Sequence, residues 1–303
     1  MPDATDVPLP FPEVVDNTML SAFAKCERHF WWAYMRHQGP EGENIHLHAG
    51  ACYARGLEVA RRAHYGEGKS PEESILDGAQ ALLEMWGKVQ APENSAKSVD
   101  RVLSAYSYYF SQWPMEADYI KPLQAASGPA VEFNFVLPLP GTKHPTTGMP
   151  LLYAGRFDML GLREGALFVC DDKTTTQLGA SWSQQWKLRG QFTGYCWGAR
   201  QYGYPVVGAV VRGVSILKTG HDKQEAIVHR PEWMIEEWLE TVYARLDRME
   251  ASWRRGFWEQ NLDHGCAQFG TCPYLLLCDT NNPEAYLPHY YKFRKWDPTE
   301  RHI

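Results

Sequence analysis

Two β-type stretches, residues 151–162 and 166–174, are separated by only three residues and constrain the fold more than any other feature. The linker contains Glu164 and Gly165. Glycine readily adopts the left-handed backbone that two-residue hairpin turns require. The pattern therefore predicts an antiparallel β-hairpin with these two residues at its turn.

Pairing counted outward from this turn places Asp158 opposite Asp171. Side chains alternate between the two faces of a strand, so Lys173 shares the face of Asp171 while Asp172 points to the other face. Two carboxylates this close repel each other unless a cation or a proton lies between them. Their oxygen atoms suit Mg²⁺ or Mn²⁺.

Two carboxylates and one ammonium group at one place are typical of metal-dependent phosphodiester hydrolysis. A bound divalent ion can generate a hydroxide nucleophile, while the lysine orients the water or stabilises the transition state. The alternative is an exposed hairpin with ordinary charged residues, because charge pairs are common on strand faces. The matching register of Asp158 and Asp171 favours the site.

The elements around the hairpin predict an α/β fold, in which a core is wrapped by helical additions. Asn17 or Thr18 can cap the first helix, which should continue to about Gly39. The other predicted helices cover about 48–64, 75–86, 96–113, 181–202 and 231–259, and the other predicted strands cover 131–137, 205–217 and 224–229.

The hairpin and the helix after it resemble the RecB-like PD-(D/E)XK nucleases. That family's pattern is matched here by Gly155, Asp158, Asp171, Lys173, Thr174, Gln191 and Tyr195. The resemblance implies a restriction-endonuclease-like core, a mixed central sheet flanked by helices. It also implies that Asp158 and Asp171 bind the metal, that Lys173 is catalytic, and that Gln191 and Tyr195 contact the DNA backbone or orient the lysine.

Two further carboxylates are candidate metal ligands by this resemblance. Glu132 lies on the preceding strand, where many relatives carry an acidic residue. Relatives also carry a metal-binding histidine in a helix, but Ala54 occupies the corresponding position here. Glu58, one helical turn later, could supply the missing ligand or could be an ordinary solvated carboxylate.

Four cysteines resemble the ligand set of the iron-sulfur subgroup of this family, which includes CRISPR-adaptation exonucleases, AddB-type subunits and phage proteins. Three form a C-x5-C-x5-C array, Cys266, Cys272 and Cys278, and Cys26 lies in the first predicted helix. The resemblance implies a 4Fe-4S cluster that ties the first helix to the C-terminal segment.

Two alternatives to the cluster stay open. Zinc also accepts four thiolates, although its usual chelate loops of two to four residues are absent. The cysteines could also be buried and unligated, since free cysteine is among the most buried residue types. The remaining three, Cys52, Cys170 and Cys196, lie inside predicted elements and are assigned to the core.

Charge and hydropathy limit the kinds of function that this chain can have. A formal net charge of −6 argues against a surface that binds nucleic acid everywhere, although a local basic channel is compatible with it. No apolar run approaches the roughly 20 residues of a membrane span, and the N-terminus does not resemble a signal peptide. We therefore expect a cytoplasmic protein with no membrane contact. The family resemblance implies that it comes from a prokaryote or a phage.

The combined prediction is a Mg²⁺- or Mn²⁺-dependent DNA exonuclease that acts on single-stranded ends in recombination, repair or phage DNA processing. Two alternatives are a cluster-containing DNA-binding module with weak or lost nuclease activity, and an end-trimming partner in CRISPR spacer acquisition. The predicted segments are an N-terminal tail (1–16), a helical region (17–125), the nuclease core (126–230) and a C-terminal helix with the cluster region and tail (231–303).

Overall fold

The computed structural model describes residues 9–42, 44–262, 266 and 271–300. The helices are α1 (Asn17–Lys25), α2 (Glu27–Phe30), α3 (Ile45–Glu67), α4 (Pro71–Trp86), α5 (Val99–Gln112), α6 (Ala180–Gln184), α7 (Gly190–Gln201), α8 (Glu232–Arg255), α9 (Leu275–Cys278) and α10 (Leu287–Tyr290), with a π-helical turn at Trp31–Met35 and a 3-10 turn at Pro283–Ala285. The strands are β1 (Val14–Asp16), β2 (Gln38–Pro40), β3 (Lys121–Pro122), β4 (Gln124–Ala125), β5 (Gly128–Pro129), β6 (Val131–Pro138), β7 (Leu152–Arg163), β8 (Ala166–Thr175), β9 (Val206–Ser215), β10 (Lys223–His229) and β11 (Tyr291–Phe293).

The fold is mixed α/β, with two compact units that are each assembled from separate stretches of chain. The carboxylate unit contains residues 44–134 and 156–235. The cysteine unit contains 9–42, 135–155 and, with the gaps given above, 236–300. None of the helices in the described ranges is long and apolar enough to cross a membrane.

The sheet of the carboxylate unit is built around the predicted hairpin. Strands β7 and β8 are antiparallel, β8 and β9 are parallel, and β10 is antiparallel to β9. At the hairpin turn, φ is +49° at Glu164 and +81° at Gly165. Two consecutive left-handed residues define the turn type that matches the twist of a two-residue hairpin. The predicted turn is therefore correct.

Helices α3, α4 and α5 form the apolar core of the same unit, and two of them cross at very short range. A Cβ atom added at Gly78 would lie 2.1 Å from the Tyr106 hydroxyl oxygen and 2.4 Å from the carbonyl oxygen of Gly56. Helix α4 begins with a capping box, in which Ser70 and Glu73 bond to each other's backbone amides. Local sequence thus sets where α4 starts, and glycine sets how closely it packs.

The first helix differs from the prediction. It is capped by Asp16, whose carboxylate accepts from the Met19 amide at 2.7 Å, and not by Asn17 or Thr18. It also stops at Lys25, because Cys26 adopts an extended backbone with φ −167° and ψ 119°. The single helix expected up to Gly39 is therefore two short helices, a π-helical turn and strand β2.

In the cysteine unit, β1 runs parallel to the start of β7, with Val14 paired to Leu152, and β2 is antiparallel to β11. An aromatic and aliphatic cluster packs at the two-stranded β2–β11 sheet. Its buried members are Trp32, Tyr274, Leu277, Leu287 and Tyr291. Strands β1, β2 and β11 were not predicted, since three residues are too few to show an alternating pattern.

Candidate nuclease site and cysteine cavity

The hairpin register is the one that the sequence predicts. Pairing runs from Arg163 opposite Ala166 to Met159 opposite Cys170. Asp158 directly precedes Met159 on β7, one position farther from the turn. Its carboxylate Oδ2 accepts a hydrogen bond from the backbone amide of Asp172 at 2.7 Å. The carboxylate thus occupies the end of the β7–β8 ladder.

The side chains of β8 separate as predicted. The Asp171 carboxylate and the Lys173 ammonium form an ion pair on one face, and Asp171 is only 4% exposed. Asp172 points to the other face, where its carboxylate accepts from Arg61 Nη2 at 2.6 Å. Three consecutive residues therefore supply a partly buried ion pair, Asp171–Lys173, and one member of a buried ion pair on the opposite face, Asp172.

Asp158 lies among three other acidic side chains, Asp171, Asp172 and Glu132. Burial raises the pKa of Asp158 well above its ordinary value, and the charges of Asp171, Asp172 and Glu132 raise it further. Burial also raises the pKa of Asp171, despite the opposing charge of Lys173. Burial disfavours the charged form of Lys173, but the Asp171 and Asp158 charges outweigh it and raise the lysine pKa. A bound divalent cation would offset this charge.

Glu132 has an unusual backbone. Its φ of +55° lies in the left-handed region, which is uncommon for a residue other than glycine. Its side chain is mostly buried, and the carboxylate lies 3.9 Å from Arg156 Nη1. Such strain persists only where the surrounding structure imposes it, and it concentrates at functional sites.

Glu58 is buried on α3 and accepts from two arginines of its own helix. Arg55 Nη1 lies 2.9 Å from one carboxylate oxygen and Arg62 Nε lies 3.2 Å from the other. Arg62 also donates to the carbonyl oxygen of Val131, the residue before Glu132. Within the described ranges, no three His, Cys, Asp or Glu side chains are arranged to hold a metal ion. Among the described residues, therefore, neither the four predicted carboxylate ligands nor the four predicted cluster cysteines form a coordination shell.

Gln191 and Tyr195 lie on one face of α7, where Gln191 Nε2 donates to the Tyr195 hydroxyl at 2.8 Å. The predicted helix over 181–202 is interrupted between α6 and α7. Arg230, which is almost fully buried, holds this interruption by donating to the Trp186 carbonyl at 2.9 Å and to Thr193 Oγ1 at 2.8 Å.

Three arginines close to the site were not among the candidates from the sequence. Arg61 pairs with Asp172, Arg230 supports the start of α7, and the positive charge of Arg189 lowers the pKa of Asp171 against the effect of burial. Only Arg61 has a sequence signal: it lies one helical turn after Leu57 on the apolar stripe of α3, where an arginine is unexpected.

The four predicted cluster cysteines line a single cavity of about 290 Å³ in the cysteine unit. His29 and Tyr274 also line it, and His29 Nδ1 lies 3.8 Å from Cys272 Sγ. Burial raises the pKa of the Cys272 and Cys278 thiols. Residues 263–265 and 267–270, which flank Cys266 in the array, lie outside the described residues. Cys52, Cys170 and Cys196 are buried, as expected.

Hydrogen bonds hold Cys26 beside the segment after α8. The Arg28 amide donates to the Glu259 carbonyl at 2.9 Å, and Asn261 Nδ2 donates to the Lys25 carbonyl at 2.9 Å. Between them, the buried Glu27 carboxylate accepts from Ser252 Oγ at 2.6 Å. Cys26 therefore reaches the cavity because tertiary hydrogen bonds interrupt the helix there.

Comparisons with known proteins place this chain in a family. The family model described as the PD-(D/E)XK nuclease superfamily matches residues 17–279. No curated protein matches the chain. A solved structure of a "Putative exonuclease" from Eubacterium rectale is similar over 83% of this chain and 86% of that one, at 12% identity and a TM-score of 0.47. The structure of SSO0001 is similar over 75% of this chain and 85% of that one, at 15% identity and a TM-score of 0.27. Because the family model spans most of the chain and all of the candidate residues, the chain belongs to the PD-(D/E)XK nuclease superfamily.

Proposed function

We propose that this chain is a metal-dependent DNA exonuclease. One observation carries the proposal: the hairpin brings the Asp158 and Asp171 carboxylates and the Lys173 ammonium to one place, in the pattern that gives the superfamily its name. Burial raises the pKa of both carboxyl groups, so a nearby positive charge would stabilise their charged forms. A divalent cation bound between them would supply this positive charge.

Asp158 and Asp171 would hold Mg²⁺ or Mn²⁺, with Glu132 and Glu58 as further oxygen ligands. The bound ion supplies charge neutralisation at the phosphodiester and a hydroxide at neutral pH. Lys173 is held by Asp171, so its remaining N–H groups could donate hydrogen bonds that orient the attacking water or stabilise a phosphoryl oxygen. Gln191 and Tyr195, tied to each other on α7, would position the backbone of the scissile strand.

The preference for single-stranded ends follows from the resemblance to RecB-like nucleases. A role in recombination, repair, phage DNA processing or the trimming of ends for CRISPR spacer acquisition would depend on proteins that act with this chain. Several cations lie near the carboxylates and could contact phosphates locally in spite of the net charge of −6: Arg55, Arg62, Arg156 and Arg189. We propose DNA as the substrate on this basis.

A 4Fe-4S cluster bound by Cys26, Cys266, Cys272 and Cys278 is the second part of the proposal. Its support is that the three thiols of the C-terminal array and the distant Cys26 thiol line one cavity. Thiolates are the usual ligands of such clusters. The cluster would fasten the C-terminal segment to the interruption between α1 and α2, and its role would be structural.

Cleavage of end-labelled DNA tests the nuclease. Linear single-stranded DNA should be degraded with Mg²⁺ or Mn²⁺ and not with EDTA, while circular single-stranded DNA should persist. Asp171→Asn and Lys173→Met should each abolish cleavage, while Lys218→Met, which alters an exposed lysine of the same unit, should not. Folded wild-type protein that binds DNA without cutting it would support the DNA-binding module instead. Rapid cutting of the circle would indicate an endonuclease.

Iron and sulfide analysis of protein purified without oxygen tests the cluster. We expect about four of each per chain and a broad absorption band near roughly 400 nm, from charge transfer between thiolate or sulfide and iron. Cys272→Ser should remove both. Stoichiometric zinc without iron would replace the cluster with a zinc site, and protein that contains neither metal would leave the cysteines unligated.

A further inference from the structure

The Asp158 carboxylate is held by the main chain of its neighbouring strand. The β7–β8 pairing ends at Met159 and Cys170, and just beyond it the Asp172 amide donates to Asp158 Oδ2 at 2.7 Å. This bond can orient the carboxylate only if β8 is itself fixed at Asp172. What fixes the Asp172 backbone therefore also fixes Asp158.

The Asp172 side chain is anchored on the opposite face of the sheet. Its carboxylate accepts from Arg61 Nη2 at 2.6 Å, and the two side chains are 3% and 6% exposed. Arg61 Nη2 also donates to the Tyr109 hydroxyl at 2.6 Å, and that hydroxyl accepts from Arg212 Nη1 at 3.1 Å. Arg212 is in turn paired with Asp118 at 2.6 Å. Asp172 thus ends a chain of buried polar contacts that reaches helices α3 and α5.

Stability alone does not account for an ion pair at this position. The cost of removing two charges from water often exceeds their attraction, and an apolar pair of similar size is frequently as stable. What distinguishes the ion pair from an apolar pair is that it fixes the relative position of its two side chains, because hydrogen bonds between charged groups are short and directional. Here that geometry is transmitted to Asp158 through one residue.

We infer that Arg61 and Asp172 are positioning residues of the nuclease site: their ion pair fixes the Asp172 amide, and the amide holds Asp158 in the orientation that binds the metal. The inference rests on the proposed function, in which Asp158 is a metal ligand. Groups that orient a metal ligand typically change metal affinity or activity by about 10- to 100-fold when they are lost.

The test removes both charges together, so that neither is left buried alone. In the Arg61→Met/Asp172→Leu variant we expect Mn²⁺ affinity, measured by electron paramagnetic resonance without DNA, to fall by about 10- to 100-fold. Cleavage should fall at low Mn²⁺ and recover at high Mn²⁺, which general loosening of the fold would not allow. If this variant does not fold, Asp172→Asn can be tested instead. It keeps the backbone amide and the shape of the side chain, and it should show a smaller loss of Mn²⁺ affinity.

The matched control is Arg212→Met/Asp118→Leu, which removes a similarly buried ion pair of the same network that makes no bond to Asp158. Glu225, the other acidic partner of Arg212, keeps its hydrogen bond from the Tyr119 hydroxyl. Its Mn²⁺ affinity should stay within about twofold of wild type. Equal losses in both double variants, or no loss in the Arg61/Asp172 variant, would overturn the inference. Wild-type protein that neither binds Mn²⁺ nor cuts DNA would refute the proposed function itself, and the inference would fall with it.

Discussion

Glu27 allows the clearest prediction about stability, because its carboxylate is 5% exposed and its partners are known. It accepts from Ser252 Oγ at 2.6 Å, from Arg248 Nη2 at 2.9 Å and from the Glu259 amide at 3.4 Å. These bonds fasten the residue after Cys26 to α8 and the segment that follows it. Glu27→Ala should therefore destabilise this part of the cysteine unit.

The three bonds contribute unequally. Ser252 is buried, and a hydrogen bond to a charged group contributes about 1.5–3 kcal/mol. The Arg248 side chain is 64% exposed, so its ion pair contributes at most about 1 kcal/mol. The Glu259 bond is long and adds little. Glu27→Ala should thus lower the free energy of local opening by about 2–4 kcal/mol.

Hydrogen exchange, read by mass spectrometry on peptides that contain residues 17–35, measures this local free energy without assuming that the two units unfold together. Glu284→Ala is the control: it removes an ion pair with Arg36 in the same unit, but Glu284 is 60% exposed, so the loss should stay below about 1 kcal/mol. If both variants exchange alike, burial does not determine the contribution of the Glu27 contacts, and the reasoning fails.

Three further predictions concern the carboxylate unit. Because the folded-state pKa of Asp158 is raised, its ionisation opposes folding, so the stability of the wild type in EDTA should fall relative to that of Asp158→Asn as pH rises above about 4. If urea titrations give the two proteins the same dependence of stability on pH, the prediction is wrong. Asp172→Ala should cost about 3–5 kcal/mol in the same titration, because it leaves the Arg61 charge buried without its counterion; a loss under 1 kcal/mol would contradict it. Tyr195→Phe removes the acceptor of the Gln191 bond and should reduce kcat/KM about 2- to 10-fold at unchanged Tm, whereas unchanged kinetics would leave the pair without a positioning role.

Local sequence was sufficient to predict the hairpin and its register. The turn chemistry of Glu164 and Gly165 fixes the pairing, and the alternation of β8 then determines that Asp171 and Lys173 share a face while Asp172 does not. The capping box of α4 was predictable for the same reason. In each case the deciding interactions join residues that are only a few positions apart.

The remaining features depend on contacts between distant residues. Asp172 faces away from the site as predicted, but the sequence does not show that it pairs with Arg61 on another element, 111 positions earlier. The extended backbone at Cys26 has no local signal, and the neighbouring Arg28 amide bonds to the carbonyl oxygen of Glu259, far along the chain. Sequence patterns indicate which residues lie on one face of an element, but not what occupies the space beyond that face.

The separation of the cysteines along the chain has a consequence for biosynthesis. Cys26 and Cys278 are about 250 residues apart, and both line the same cavity. At a translation rate of about 5–20 residues per second, Cys26 leaves the ribosome roughly 13–50 s before Cys278 does. During that interval the ribosome synthesises the residues of the carboxylate unit, and no cofactor can yet be enclosed by all four thiols. For the proposed cluster, delivery of iron and sulfide would therefore be a late step in maturation, and oxidation of the Cys26 thiol before that step would compete with it.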